Sequence, residues 1–434
     1  MKRQTRLRLV LLAVACLLGA GVVELGVRLL LQRTVDGQLH FRRAPIRPYV
    51  LPLEHTRRMI AAYEQRQERA GLVHDPDLGW TLAAGRGGIN GVGARAGVEH
   101  SHLTPPGVLR IALVGDSFTH GDEVSREQTW AHALQEELRA EGLAVEVLNF
   151  GVPAFAIDQA YLRWRDRRQV VRPDVVVHGF VYEDVYRNLN VFRTLYVTSS
   201  ELPFTKPRFV LSDGGLELVN HPVMPLDAIV PTLEAFPDHP LAQHETYYQP
   251  SHYLARPWWR ARSIGLAVAG LRRLDVGPRG VRLDDEVHSV PTSFHDLDGE
   301  AAQLTLAIWQ RWSQEVAGDD ALFVLLHLPR DKDLERFRTT GRMVYEPLHA
   351  AAGERFVMVE TREVLAEATA TRLFMPHRHY TPAANRLVAQ QLADRLLDLA
   401  PRWARPSAEP SPGAPPDGAP AAAPAPRVGP ETPP

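Results

Sequence analysis

The 434 residues carry 49 basic and 51 acidic side chains, a formal net charge of −2, with 45% apolar and 23% charged residues. That near-balance lacks the electrostatic footprint of a nucleic-acid binder, and the apolar share suits an ordinary globular chain. The single cysteine, Cys16, excludes an intrachain disulfide and any cysteine-based metal site.

At the N-terminus, Lys2, Arg3, Arg6 and Arg8 precede an apolar run from Leu9 that continues to Leu31. A cleavable signal peptide begins in the same way, but the run is long enough to cross a bilayer. Residues 1–8 therefore read as a cytoplasmic basic segment and 9–31 as a transmembrane signal anchor. Glu24 and Arg28 fall one helical turn apart and can pair near the outer interface. Cys16 is not expected to carry a lipid, because the residues after it remain apolar. Everything after residue 32 is then expected outside the cytoplasm, with 32–100 as a juxtamembrane segment.

Strand and helix signals alternate from there on. Val108–Val114 predicts a buried strand, Gln128–Glu141 a helix, Val145–Leu148 a second strand and Ile157–Arg168 a helix. Asp174–Val181 predicts a third strand. Later come a helix over Ala301–Val316, strands over Ala321–Leu328 and Phe356–Glu360, and an amphipathic helix from Pro382 to Leu399. Such alternation means an α/β fold, a parallel sheet wrapped by helices, over residues 101–400. A segment at about 190–300 interrupts it, rich in Pro, His, Tyr and Trp. It is too long for a bare loop and predicts an inserted subdomain. Trp258 and Trp259 within it suit either burial or stacking on sugars. The Pro- and Ala-rich residues 406–434 cannot bury enough surface to order themselves and read as a disordered tail.

Open α/β sheets place their sites beyond the carboxyl ends of the strands. Ser117 follows the first strand, Gly151 the second and Glu183-Asp184 the third, while His379 sits in the loop before the last helix. Singly, each has an ordinary use: a Ser capping a helix, a turn glycine, a packed histidine. Together and in this order they supply what nucleophilic catalysis needs: a hydroxyl, a base and amide donors for an oxyanion.

The segment IALVGDSFTHGDEV at Ile111–Val124 resembles the first block of the SGNH, or GDSL, hydrolase superfamily. Val145–Ala160 resembles its second block, Arg172–Asn188 stands in the place of the third, and Phe374–Leu396 resembles the last. HDPDLGWTL at His74–Leu82 resembles an opening segment of anchored bacterial members. The resemblance implies a three-layer α/β/α, flavodoxin-like sheet. It further implies Ser117 as nucleophile, His379 as base, and the Ser117 and Gly151 N–H groups as the oxyanion hole.

Two positions depart from the pattern. Where the superfamily has an oxyanion-donating asparagine, this chain has Glu183, followed by Asp184; a carboxylate has no donor. Glu183 must point away or be protonated, or another group such as the Tyr182 hydroxyl must substitute. The usual aspartate two or three residues before the histidine is also missing, with Pro376 and His377 in those places. Asp184 is one substitute for orienting His379, and a backbone carbonyl another. His120, His178 and His377 match no closed zinc spacing, and the resemblance implies no metal or cofactor. GRGGINGVG at Gly85–Gly93 precedes no helix and reads as a flexible turn rather than a phosphate loop. The expected function is a serine ester hydrolase or O-acyltransferase, held at the inner membrane and acting on acylated carbohydrate or lipid. The alternative is a non-catalytic SGNH-like domain that binds glycan or scaffolds an envelope assembly.

Overall fold

The computed structural model describes residues 2–41, 44–66, 71–254, 261–273, 297–369 and 372–403. Trp258, Trp259 and the 406–434 tail lie outside them. The N-terminal run forms one helix, α1 (Lys2–Leu30), whose Arg8–Leu30 stretch is long and apolar enough to cross a membrane. Glu24 and Arg28 pair at 2.8 Å as their spacing predicts.

The core is a five-stranded parallel sheet. Its strands are β1 (Leu109–Gly115), β2 (Val145–Asn149), β3 (Val175–Phe180), β4 (Leu322–His327) and β5 (Val357–Glu360). The order across the sheet is β2-β1-β3-β4-β5. This is the flavodoxin-like arrangement, and its chain direction reverses between β1 and β3. Between β1 and β3 lie the short helix α2 (Ser117–His120), α3 (Trp130–Ala140) and α4 (Ile157–Val171). After β3 come α5 (Glu183–Arg187), α6 (Arg262–Arg273) and α7 (Glu300–Gly318). Helix α8 (Glu346–Arg355) precedes β5, and α9 (Pro382–Trp403) closes the domain.

Successive strand residues point to opposite faces, and the sequence fills both with apolar side chains. Ile111, Leu113, Val175, Val177, Val324 and Leu326 meet Leu134 and Leu138 of α3 and Val388, Leu392 and Leu396 of α9. Their neighbours Val114, Val176 and Leu325 face the other way, onto Ile157, Tyr161 and Trp164 of α4 and Ile308, Trp309 and Trp312 of α7. The three-layer sandwich follows from that alternation. Each predicted strand and helix appears, with ends displaced by a few residues.

The inserted segment is woven into the α4–α7 side. Its hairpin pairs Arg208–Ser212 with Gly215–Val219, and Phe192, Tyr196, Phe204, Phe236 and Tyr247 join the same apolar core. A buried ion pair, Lys206 Nζ to Asp158 Oδ2 at 2.5 Å, ties it to the start of α4. Gly85–Gly93 is a hydrogen-bonded turn: Gly85 N donates to Ile89 O, and Gly93 N donates to Asn90 O.

Candidate active site

Strand β1 ends at Gly115 against the end of β3. A Cβ at Gly115 would lie 2.1 Å from Gly179 O and 2.3 Å from Thr119 Oγ1, so only glycine lets α2 settle on the sheet edge. Asp116 caps this helix, accepting from Phe118 N at 2.9 Å. Ser117 is thereby the first helical residue, buried but for 8% of its surface. Its N–H, like any first-turn donor, has no intrahelical acceptor.

The helix stops after one turn at Gly121, in the left-handed region at φ 86°. Glu123 follows at φ 66°, a conformation uncommon for a residue with a side chain. Arg95 fixes this turn, donating to His120 O at 2.7 Å and to Gly121 O and Val124 O at 2.8 Å each. The loop before α9 comes alongside. There Arg378 is also left-handed, at φ 73°, and Met375 N donates to His379 O at 2.7 Å. Tyr380 anchors the loop, its hydroxyl donating to Pro329 O at 2.7 Å.

These two loops assemble a continuous hydrogen-bonded chain. Ser117 Oγ lies 2.9 Å from His379 Nε2, and His379 Nδ1 lies 2.9 Å from Glu123 Oε2. The carboxylate is held in turn by backbone donors, His377 N on Oε1 at 3.0 Å and His379 N on Oε2 at 3.2 Å. Burial raises the Glu123 pKa, but the hydrogen bonds from His377 and His379 outweigh it and hold the carboxyl below its ordinary value. The acid is thus ionised, with Nδ1–H the matching tautomer and Nε2 free to accept the serine proton.

Glu123 is the residue that sequence reasoning missed. Asp184 does not reach His379; it accepts from Arg187 Nη1 at 2.7 Å and Val181 N at 3.2 Å. His377 enters through its backbone N–H alone. The signal for Glu123 was its place within the first block, on the turn that directly follows the nucleophile.

Of the three alternatives for Glu183, the carboxylate points away from Ser117. It accepts from Tyr196 Oη at 2.8 Å and pairs with Arg187 Nη2 at 3.3 Å and with Arg330. Burial raises its pKa, but Arg187 and Arg330 more than reverse this and keep it ionised. Tyr182 is buried, its ring stacked on Tyr345 with centroids 3.6 Å apart. The third block instead braces the nucleophile turn from below: Arg187 Nη1 bridges Asp184 to Asp116 Oδ2 at 3.1 Å and to Phe155 O at 3.0 Å.

Gly151 packs directly on α2, where a Cβ would lie 2.3 Å from His120 N. Its N–H, expected to face an oxyanion, donates to Asn149 Oδ1 at 3.0 Å. A Gly151 donor for the oxyanion is therefore not laid out in this geometry, because the side chain of Asn149 already holds that hydrogen. An open pocket of about 440 Å³ adjoins the triad, lined by Arg95, His120, Asp122, Glu123, His377 and His379. Burial pushes the Asp122 carboxyl up to about 6, and burial with the nearby Arg95 pushes His120 down to about 4. Both lining groups are held toward their neutral forms.

No family model and no curated protein matches the sequence. Among solved structures the chain is similar to TesA at 13% identity, covering 67% of this chain and 99% of that one, with a TM-score of 0.32. A lipolytic protein of the G-D-S-L family from Desulfitobacterium hafniense DCB-2 is 11% identical over 66% of this chain and 98% of its own, at a TM-score of 0.32. A variant of Axe2, an acetyl xylan esterase from Geobacillus stearothermophilus, is 13% identical over 66% and 94%, at 0.33. The second of these carries the G-D-S-L description, the type that the four sequence blocks resemble.

Proposed function

We propose that this chain is a serine-dependent ester hydrolase or O-acyltransferase that works through Ser117, His379 and Glu123. The observation that carries the reading is the unbroken sequence of contacts from Ser117 Oγ through both nitrogens of His379 to Glu123. In the reaction, His379 Nε2 takes the hydroxyl proton as Ser117 Oγ attacks the ester carbonyl. Glu123 keeps the imidazole in the productive tautomer and offsets the charge it gains. Collapse expels the alcohol, protonated by His379, and leaves an acyl-Ser117. Water or a sugar hydroxyl, deprotonated by the same histidine, then accepts the acyl group.

The apolar helix at Arg8–Leu30 and the basic residues before it support an anchored domain outside the cytoplasm. The ionisable side chains that line the pocket beside His379 and Glu123 support a hydroxyl-rich substrate, an acylated carbohydrate in preference to a long acyl chain. Purified full-length protein is expected to hydrolyse p-nitrophenyl acetate and acetylated oligosaccharides. Ser117→Ala and His379→Ala are each expected to lower kcat/KM by at least about 10³-fold. Undiminished turnover in Ser117→Ala would contradict the proposal. Transfer of acetyl to an added oligosaccharide in competition with water separates transferase from hydrolase.

A second reading, a glycan-binding domain without catalysis, draws on one observation. The Gly151 N–H is occupied by Asn149, and a carboxylate stands where a donor is usual. Saturable glycan binding by both wild type and Ser117→Ala, with no turnover by either, would favour it.

A further inference from the structure

At the carboxyl edge of β4 and β5 a second group of side chains converges that the triad does not use. His327 is the last residue of β4, Glu360 the last of β5, and His349 lies on α8. Their ligand-type atoms all lie within 4.8 Å of one another. His327 Nδ1 stands 3.3 Å from Glu360 Oε2, and His349 Nε2 stands 2.5 Å from Glu360 Oε1. Both histidines therefore turn a ring nitrogen toward the one Glu360 carboxylate, each to a different oxygen.

The surroundings order these groups as a metal site's outer partners do. Tyr345 Oη lies 3.0 Å from His327 Nε2 and is itself bonded to Asp333. With the phenol proton committed to Asp333, the phenol oxygen accepts from Nε2–H, and the lone pair of His327 falls on Nδ1, facing Glu360. Arg362 stands outside, 3.5 Å from Glu360 Oε2, and its shorter contacts are to Glu346 at 2.8 Å and Glu363 at 2.9 Å. Two imidazole nitrogens and a carboxylate thus point at one small volume. Side-chain rotation that opens the 2.5 Å contact of His349 with Glu360 brings the donors to the roughly 3.4 Å spacing of tetrahedral ligands on bonds of about 2.1 Å.

We propose that His327, His349 and Glu360 bind a divalent metal ion of the zinc type, which joins β4, β5 and α8. Two histidines with a carboxylate are a zinc donor set, whereas calcium and magnesium prefer all-oxygen shells. The ion lies apart from the Ser117 chemistry, with its fourth position left to water; through His327 it holds Tyr345, on which Tyr182 of the third block is stacked.

The test loads full-length protein in detergent with Zn²⁺, dialyses it against metal-free buffer and measures retained zinc. About one zinc per chain is expected in wild type, and less than about a tenth of that in His349→Ala and Glu360→Gln, with unchanged circular dichroism. Wild type that retains no zinc, or variants that retain as much as wild type, would overturn the proposal. If the variants do not fold, X-ray absorption of the zinc-loaded wild type decides. Two imidazole ligands and a carboxylate support the site, and a shell without imidazole overturns it.

Discussion

Glu123 shows how one residue serves two demands that conflict. Its left-handed backbone costs of order 1 kcal/mol or more, and a glycine there would relieve it. The side chain is nonetheless the partner that orients His379. Glu123→Gly is therefore expected to lose most activity, with the backbone relief offsetting part of the stability lost with the carboxylate's bonds to His377 N and His379 N. Glu123→Gln keeps the shape but presents the wrong charge, and about 10²–10⁴-fold is expected to be lost from kcat. Steady-state kinetics beside thermal melts check both, and an active Glu123→Gly would remove Glu123 from the mechanism. Ser117 and His379 were legible in the sequence because each sits in a block of recognisable composition. Glu123 was not. Next to Asp122 it reads as half of an acidic pair on a turn, and only the approach of residues 375–379 to that turn selects it. Gly151 was legible as the glycine of the second block, but that the Asn149 side chain two residues before it captures its N–H was not.

At the scale of elements, the strands and helices were readable because period-2 and period-3.6 apolar patterns are local. The insertion was not, since its buried aromatics follow no period and are fixed by α4 and α7. One such contact sets a pH dependence. His178 on β3 is fully buried and accepts at Nδ1 from Trp309 Nε1 at 3.1 Å, and burial pushes it down to about 3. In the unfolded chain the same imidazole titrates near 6.5, so below that pH the unfolded state binds the extra proton. The stability from keeping His178 neutral is complete above about pH 6.5. It falls by about 1.4 kcal/mol per pH unit as the pH drops toward 3. His178→Gln retains an acceptor for Trp309 and removes the titration. Its urea-unfolding free energy is expected to fall less steeply between pH 6 and 4, by about one proton. Equal slopes for wild type and variant would exclude His178 as the source.

For the whole molecule, the apolar helix and the carboxyl edge of the sheet are separated along the chain by the segment before β1, from which Arg95 reaches the Ser117 turn. The end of the apolar helix meets α6, where Glu24 accepts from Arg262 N at 2.8 Å and Ser263 N at 2.9 Å. If the basic N-terminus stays cytoplasmic, alkaline phosphatase fused after residue 40 is expected to be active in a bacterial host, and a cytoplasmic reporter fused there inactive. The opposite pair of results would place the domain inside. The α/β class and the long apolar helix could be read from sequence because hydropathy and alternation are sums over many residues. How the insertion joins the domain could not.

The proposed chemistry turns on an activated Ser117. Full-length protein treated with a fluorophosphonate and analysed by peptide mass spectrometry is expected to carry one adduct, on Ser117. Labelling is expected to be abolished in Ser117→Ala and His379→Ala and slowed by at least about 10²-fold in Glu123→Gln. Folded wild type that takes no label, or label that persists in Ser117→Ala, would contradict the account.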